Sequence, residues 1–346
     1  IFMQKNCFII LILALTCSYD AVAQPKFSIS KIVGRNSIND ADARKIEQYA
    51  QGWAEALNTT DALELYEAQR HLIEPLEIDA AMSPYARSLY GKALRDGFEP
   101  ILNENSTNEM AAVNALQVVS LLGTEQGCGL LLNHADTSTE DRASLRHWAS
   151  IGLGKSFKQG ILPERRISSI AGTIADFASR EPVWYIVSRQ FNSIASLQEI
   201  PNLDTRQQEE LEALSIKLQV RAFSELLKEI AKSDEADERV RALPFILASL
   251  RLQLIEPGLN EEARKEGDRD IAPLITQFAD LALKHAETAK ENDELYGAYG
   301  ESLQSGSFIV ERILKIDTTD ASMLELWGEG RYPELTSRLN VWKNNQ

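Results

Sequence analysis

Two stretches of the chain decide the fold: residues 101–123, ILNENSTNEMAAVNALQVVSLLG, and residues 131–154, LLNHADTSTEDRASLRHWASIGLG. They align with an offset of 30 or 31 residues, and each runs from an apolar helix end through a polar turn to a capped helix and a glycine. In the second stretch, Ser138 and the residues after it read as a capping box, which predicts a helix over residues 139–153. Such a unit cannot bury both of its faces alone, so the repeat predicts stacked helical units.

The chain from residue 38 onward also has helical periodicity. Apolar side chains recur at three- and four-residue spacing at Val240, Leu243, Leu247 and Leu250, as they do along one face of a helix. No stretch alternates apolar and polar residues as a half-buried strand would. The linkers between helices are short, which makes neighbouring helices antiparallel. The sequence therefore predicts an all-α fold.

Parts of the chain resemble the HEAT family of helical repeats, in its short bacterial form. Residues 98–102 (FEPIL) resemble the proline-bearing end of a repeat's first helix, and Asp136 followed by Arg142 resembles the family's turn aspartate and second-helix arginine. The resemblance covers residues 84–180, and after residue 200 the helices lengthen and the period is lost. It implies an α-solenoid of stacked antiparallel helix pairs, HEAT- or armadillo-like, with longer helices in the C-terminal half. It also implies a scaffold or binding role and no catalytic residue.

The chain divides into four predicted segments. Residues 1–23 read as a secretory signal peptide and residues 24–37 as an extended lead-in. Residues 38–200 are predicted to form the HEAT-like helical repeats. Residues 201–346 are predicted to form a C-terminal helical region that packs on those repeats.

The first segment predicts export. A short basic start at Lys5 precedes an apolar run that ends at Cys17, and Ala21-Val22-Ala23 supplies the small residues of a cleavage site after Ala23. The apolar run is shorter than the roughly 20 residues of a membrane-spanning helix, so no stable membrane insertion is expected after signal cleavage. The mature protein is expected in the periplasm or outside the cell. Attachment of a lipid at Cys17 is an alternative that the sequence leaves open.

Composition and charge narrow the function. The 51 Asp and Glu against 36 Lys and Arg give a net charge of −15, which repels nucleic acid phosphates, so no nucleic acid partner is expected. Cys128 is the only cysteine after the signal segment, which excludes an internal disulfide. Residues 152–156 (GLGKS) resemble the end of a phosphate-binding loop but follow a helical segment rather than a strand. The positions of Cys128, His134, Asp136 and His147 match no standard zinc spacing, and no cofactor is expected.

The predicted function is that of a non-catalytic exported scaffold that binds another protein or peptide. Successive second helices, over residues 108–122 and 139–153, form the expected surface, because stacked helical repeats offer an extended face. The candidate partner-binding residues are cations and aromatics that could act as anchors: Arg142, Arg146, Trp184 and Tyr185. The alternative is a secreted all-helical carbohydrate-active enzyme, with two carboxylates facing each other across the cleft of a toroid and aromatic rings lining it.

Overall fold

The computed structural model describes residues 24–77, 82–255, 259–317 and 321–346. Every regular element within these ranges is a helix, so the predicted all-α fold is confirmed. The predicted signal peptide, residues 1–23, lies outside the described residues.

The helices follow one another through short connections, and three of the later ones, α10, α12 and α13, have 26, 29 and 22 residues. In chain order the helices are α1 Ser30–Val33, α2 Asp40–Ala56, α3 Ala62–Glu77, α4 Pro84–Leu102, α5 Glu109–Ser120, α6 Glu125–Ala135, α7 Ala143–Lys158, α8 Glu164–Arg180, α9 Trp184–Ala195, α10 Thr205–Ile230, α11 Leu243–Ile255, α12 Glu261–Ala289, α13 Asp293–Leu314, α14 Met323–Gly328 and α15 Tyr332–Asn345. Short 3-10 helices at Ser196–Glu199 and Glu238–Ala242 precede α10 and α11.

Side-chain caps explain where several helices begin. Ahead of α10, the carboxylate of Asp204 accepts a hydrogen bond from the backbone N–H of Gln207. The side-chain oxygen of Gln207 accepts one in return from the backbone N–H of Asp204, which completes a capping box. Ser83 caps α4, and Pro84 takes the first helical position, where the missing N–H of proline costs no hydrogen bond of the helix.

The helix predicted over residues 139–153 begins later than predicted. α7 starts at Ala143, and no side chain caps it. Glu140, predicted as part of a capping box, is only 5% exposed, because His134 and Arg142 bind its carboxylate in the interior. The polar turn of this repeat therefore holds a buried charge cluster instead of a helix cap.

The helices alternate between two layers. From α2 to α12 each even-numbered helix packs on the next even-numbered one, which forms the first layer. From α3 to α13 each odd-numbered helix packs on the next odd-numbered one, which forms the second layer. Each even-numbered helix of this set also packs on the odd-numbered helix that follows it, and a continuous apolar core runs between the layers from Ile29 to Trp342.

Neighbouring helices of the second layer run in the same direction. The ring of His147 in α7 lies 5.4 Å from that of Tyr185 in α9. Further along both helices, the hydroxyl of Ser193 donates a 2.5 Å hydrogen bond to the backbone carbonyl of Ser150. Layered helices with parallel neighbours inside one layer fit a helical solenoid.

The distance in sequence between equivalent helices grows along the chain. Ser144 of α7 donates a hydrogen bond to Glu109 of α5, 35 residues away. Gln198, which follows α9, donates one to Gln253 of α11 over 55 residues. The longer connection passes through the 26 residues of α10. This change in repeat length explains why no fixed sequence period continues beyond residue 200.

The two glycines that the repeat pairs with each other have different roles. Gly123 follows α5 with a φ of +58°, a left-handed conformation that favours glycine. The glycine in the corresponding place after α7 is Gly160, with a φ of +64°, and not Gly154. Gly154 lies inside α7, where an added Cβ would come within 3.2 Å of the Cα of Ser193. Because glycine has no Cβ, α7 and α9 can pack closely at this point.

The segment predicted as an extended lead-in, residues 24–37, contains one helical turn, α1. Ile32 and Val33 of this turn are buried, and the backbone N–H of Ser83 donates a hydrogen bond to the carbonyl of Val33. The segment is therefore packed into the core and is not extended throughout.

Candidate functional site

Arg146, predicted as an anchor for a partner, is buried. It is 4% exposed, and its guanidinium makes two hydrogen bonds to the carboxylate of Glu181, of 2.9 and 3.0 Å. It also donates to the backbone carbonyls of Glu140 and Asp141, both at 2.9 Å. Because these partners are internal, Arg146 ties the start of α7 to the loop between α8 and α9 and does not face an outside partner.

Arg142 is also engaged inside the protein. Its Nε atom lies 2.7 Å from Oε1 of Glu140, and its other nitrogens donate to the backbone carbonyls of Leu102 and Asn103 at the end of α4. The Arg142 side chain is only 15% exposed. The expectation that Arg142 and Arg146 are exposed anchors is therefore corrected, since both arginines hold helices of this chain together.

His134, Glu140 and Arg142 form a buried charge cluster between α4, α6 and α7. Nδ1 of His134 lies 2.8 Å from Oε2 of Glu140, and Arg142 bonds to both oxygens of the same carboxylate. Burial by itself would raise the pKa of Glu140, but the hydrogen bonds from His134 and Arg142 outweigh burial and lower the pKa to about 2. The carboxylate is therefore ionised at neutral pH and binds the two side chains beside it.

An open groove of about 560 Å³ lies beside this cluster and is lined by charged side chains that include Asp96, Glu99 and Glu104. The described residues that line the groove include no Phe, Tyr or Trp. The alternative prediction, a carbohydrate-active enzyme, requires two available carboxylates with rings beside them. Because no such ring among the described residues lies beside the carboxylates of this groove, the groove gives that alternative no support.

Trp184 and Tyr185, the other two predicted anchors, lie at the start of α9 on the outward side of the second layer. Tyr185 is 38% exposed, and Trp184 is partly buried. The ring of Tyr185 contacts that of His147, and the guanidinium of Arg241 lies 5.0 Å from the ring centroid of Trp184. Aromatic and cationic contacts therefore join α7, α9 and the turn before α11 on one side of the protein.

His147, whose ring packs against that of Tyr185, has a lowered pKa. Burial lowers the pKa of His147, and the positive charge of Arg189 on α9 lowers it further. The Nδ1 atom of His147 is buried and has no hydrogen-bond partner among the described residues.

Three neighbouring helices of the second layer, α7, α9 and α11, contain no Asp or Glu. Every other α-helix longer than one turn in the described ranges contains at least one acidic residue. We call the outward surface of α7, α9 and α11 the acid-free face. Its exposed or half-buried side chains include Trp148, Ile151 and Lys155 of α7, Tyr185, Arg189 and Asn192 of α9, and Phe245, Ala248 and Leu252 of α11.

Helix α11 exposes large apolar side chains on this face. Phe245 and Leu252 are 57% and 59% exposed, while Leu247 and Leu250 on the other side of the helix are buried. A helix that is apolar all round is normally covered on every side. The outward half of α11 is therefore apolar surface of the kind that a partner covers.

Helices α9 and α11 bring their side chains together on the acid-free face. The two helices run in the same direction. Arg241, which lies immediately before α11, packs over the ring of Trp184, which begins α9, and Gln253 near the end of α11 bonds to Gln198 just after α9. Counting four residues on from Arg241 and from Trp184 places Phe245 of α11 at about the height of Ser188 of α9, one residue before Arg189. An exposed ring and an exposed cation therefore share this part of the face.

The sequence pattern does not predict that the α11 residues of the acid-free face are exposed. The apolar spacing there identifies the buried side through Leu243, Leu247 and Leu250, and it carries no information on the opposite side. The available signal is that residues 243–255, LPFILASLRLQLI, have apolar residues on every side of the helix, with Arg251 as the one charged residue and no acid. Such a segment predicts either complete burial or a binding surface.

The remaining motifs have structural roles. Residues 152–156, which resemble a phosphate-binding loop, lie inside α7. Cys128 is a buried thiol of α6. Within the described ranges, no three His, Cys, Asp or Glu side chains are grouped so as to hold a metal ion. None of the helices described has both the length and the apolar character required to span a bilayer.

Similarity to known proteins is low. No protein-family model matches the chain, and no curated protein matches it. Among solved structures, an engineered protein from the Northeast Structural Genomics Consortium is similar at 14% identity, with 86% of this chain and 81% of that chain covered and a TM-score of 0.28. A TM-score this low supports no inference about fold or function. The class defined by the structure itself is an all-α protein whose helix packing fits a helical solenoid.

Proposed function

We propose that the protein is a non-catalytic α-solenoid of the HEAT-like type that binds another protein through its acid-free face. The layered packing of the helices supports the solenoid, and the resemblance of residues 84–180 to HEAT repeats supports the type. The signal-like pattern of residues 1–23 supports export to the periplasm or the cell exterior. No cofactor takes part in this function.

The exposed apolar half of α11 is the observation that carries the proposal. Covering Phe245 and Leu252 would remove apolar surface from water, which contributes roughly 25 cal/mol per Å² to association. The neighbouring rings of Tyr185 and Trp148 give the face the aromatic character found where binding energy is concentrated. Contacts of this kind need no reactive group, so the face fits binding better than catalysis.

Site-specific photo-crosslinking tests the proposed function. A photoreactive amino acid replaces Ala248, which is exposed between Phe245 and Leu252, and the protein is irradiated in an extract of its source. The same replacement of Ser169, which is exposed on α8 of the first layer, is the matched control. We expect a discrete cross-linked protein from position 248 and none from position 169, because only the first position lies on the acid-free face. Equal cross-linking at both positions, or cross-linking at position 169 alone, would contradict the proposal.

A further inference from the structure

Charge is distributed unevenly over the protein. The chain contains 51 acidic residues against 36 Lys and Arg, yet α7, α9 and α11 contain no acid. The basic residues of these three helices are Arg146, Lys155, Lys158, Arg189 and Arg251, and Arg146 alone among them is buried. The acid-free face is therefore a cationic surface on a strongly acidic protein.

Two of these cations are available to an outside anion. Lys155 and Arg189 are exposed, and neither forms an ion pair within the part of the chain that the structure describes. Lys158, by contrast, already pairs with Glu199 at 2.6 Å. Exposed and unneutralised cations of this kind attract carboxylates of a partner and set which partners are accepted.

Carboxylates near the face do not neutralise these two cations. Glu294 of α13 pairs with Arg241. Asp141 is exposed just ahead of α7, and Lys155 lies 12 residues after the start of that helix at Ala143, about 18 Å at 1.5 Å per residue. Among the described residues, these nearby carboxylates pair with other cations or with none, and neither Lys155 nor Arg189 has a paired carboxylate.

The face has the dimensions of a short extended peptide. Packed helices lie roughly 8–10 Å apart, so the three helices span about 20 Å between their outer axes. An extended chain covers that distance in about six residues. Arg189 lies one turn after Tyr185 on α9, and Phe245 lies at about the same height on the neighbouring helix α11. A cation and two rings therefore belong to the same part of the face.

We propose that the acid-free face binds an extended acidic segment of the partner protein, whose carboxylates pair with Lys155 and Arg189 while an apolar side chain packs between Tyr185 and Phe245. This inference rests on the proposed protein-binding function and adds the chemistry of the partner. The acidic remainder of the surface repels such a segment, so charge directs the segment to this face.

Peptide selection on the intact protein tests the inference. A phage-displayed library of random peptides is selected for binding to the wild-type protein. The peptides have about twelve residues, twice the number that spans the face in an extended chain. The affinities of enriched peptides are then measured for the wild type and for the double variant Lys155→Glu/Arg189→Glu. The matched control is Lys92→Glu/Arg165→Glu, which makes the same charge change at exposed cations of α4 and α8 in the first layer.

We expect the enriched peptides to combine Asp or Glu with a bulky apolar residue. Affinity should fall about tenfold or more in the variant of the acid-free face, because two attractive contacts become repulsive, and it should change little in the first-layer control. Failure to enrich acidic peptides, or equal affinities for the two variants, overturns the inference. All substituted side chains are exposed, so loss of folding does not obscure the comparison.

The outcomes also separate this inference from the proposed function. Enriched peptides that cross-link at position 248 without an excess of acidic residues overturn the acidic segment but leave protein binding in place. Enriched peptides that do not cross-link at position 248 count against the protein-binding function itself. Binding of single-stranded oligothymidylate, or a dimer that the Lys155→Glu/Arg189→Glu variant dissociates in sedimentation, would assign the face to a nucleic acid or to a second copy and overturn the inference.

Discussion

Replacing Arg146 by Met is expected to lower the free energy of unfolding by about 3–5 kcal/mol. Arg146 makes two hydrogen bonds to the carboxylate of Glu181, and both side chains are buried. Glu181 is 1% exposed. After the substitution, its remaining hydrogen-bond donor among the described residues is the backbone N–H of Val183, which carries no charge. A buried charge without a counterion costs far more than a lost surface ion pair, which is typically worth up to about 1 kcal/mol.

Urea unfolding followed by circular dichroism measures this effect. Arg189→Met is the matched control, because it makes the same substitution at an exposed position, and it should change the free energy of unfolding by less than about 0.5 kcal/mol. Combining Arg146→Met with Glu181→Leu removes both buried charges and should recover part of the loss. If Arg146→Met were no more destabilising than Arg189→Met, the buried ion pair would not be present.

Replacing Glu140 by Gln is expected to destabilise the protein by about 3 kcal/mol near pH 7 but only by about 1 kcal/mol near pH 3. Hydrogen bonds from His134 and Arg142 lower the pKa of the Glu140 carboxyl from 4.5 to about 2 in the folded protein, although burial opposes them. The folded protein therefore binds this proton less tightly than the unfolded chain does. The resulting stabilisation is complete above about pH 4.5 and is lost as the pH falls towards about 2.

The same urea measurement at the two pH values checks this prediction. Glu104→Gln serves as the control, because Glu104 is an exposed carboxylate on the groove beside the cluster. Its effect should stay below about 0.5 kcal/mol at either pH. A difference between the wild type and Glu140→Gln that stays constant on acidification would show that the ionised carboxylate is not what stabilises the fold.

The helical class could be predicted because its signals are local. Apolar spacing and capping residues such as Asp204 and Ser83 act within a few residues, and the structure places helix starts beside both. The growth in repeat length could not be predicted in the same way. It depends on contacts such as that between Gln198 and Gln253, which join residues 55 apart in sequence and leave no fixed period to detect.

The position of Arg146 shows why the candidate site could be predicted only in part. Its partner Glu181 is 35 residues away, and nothing beside Arg146 in the sequence distinguishes an arginine that meets a buried carboxylate from one that faces water. Tyr185 does face outward in the structure, although its role in binding stays a prediction. The exposed side of α11, which includes Phe245 and Leu252, has no periodic signal, because apolar residues lie on every side of this helix.

Hydroxyl-radical footprinting shows whether the acid-free face is the surface that a partner covers. The protein is oxidised alone and with a selected peptide bound, and modification of each exposed side chain is measured by mass spectrometry. We expect protection of Tyr185, Phe245 and Leu252 on the face, and no change at Tyr85, which is 57% exposed on α4 of the first layer. Protection of Tyr85 with unchanged oxidation of Tyr185 and Phe245 would contradict the proposed binding surface.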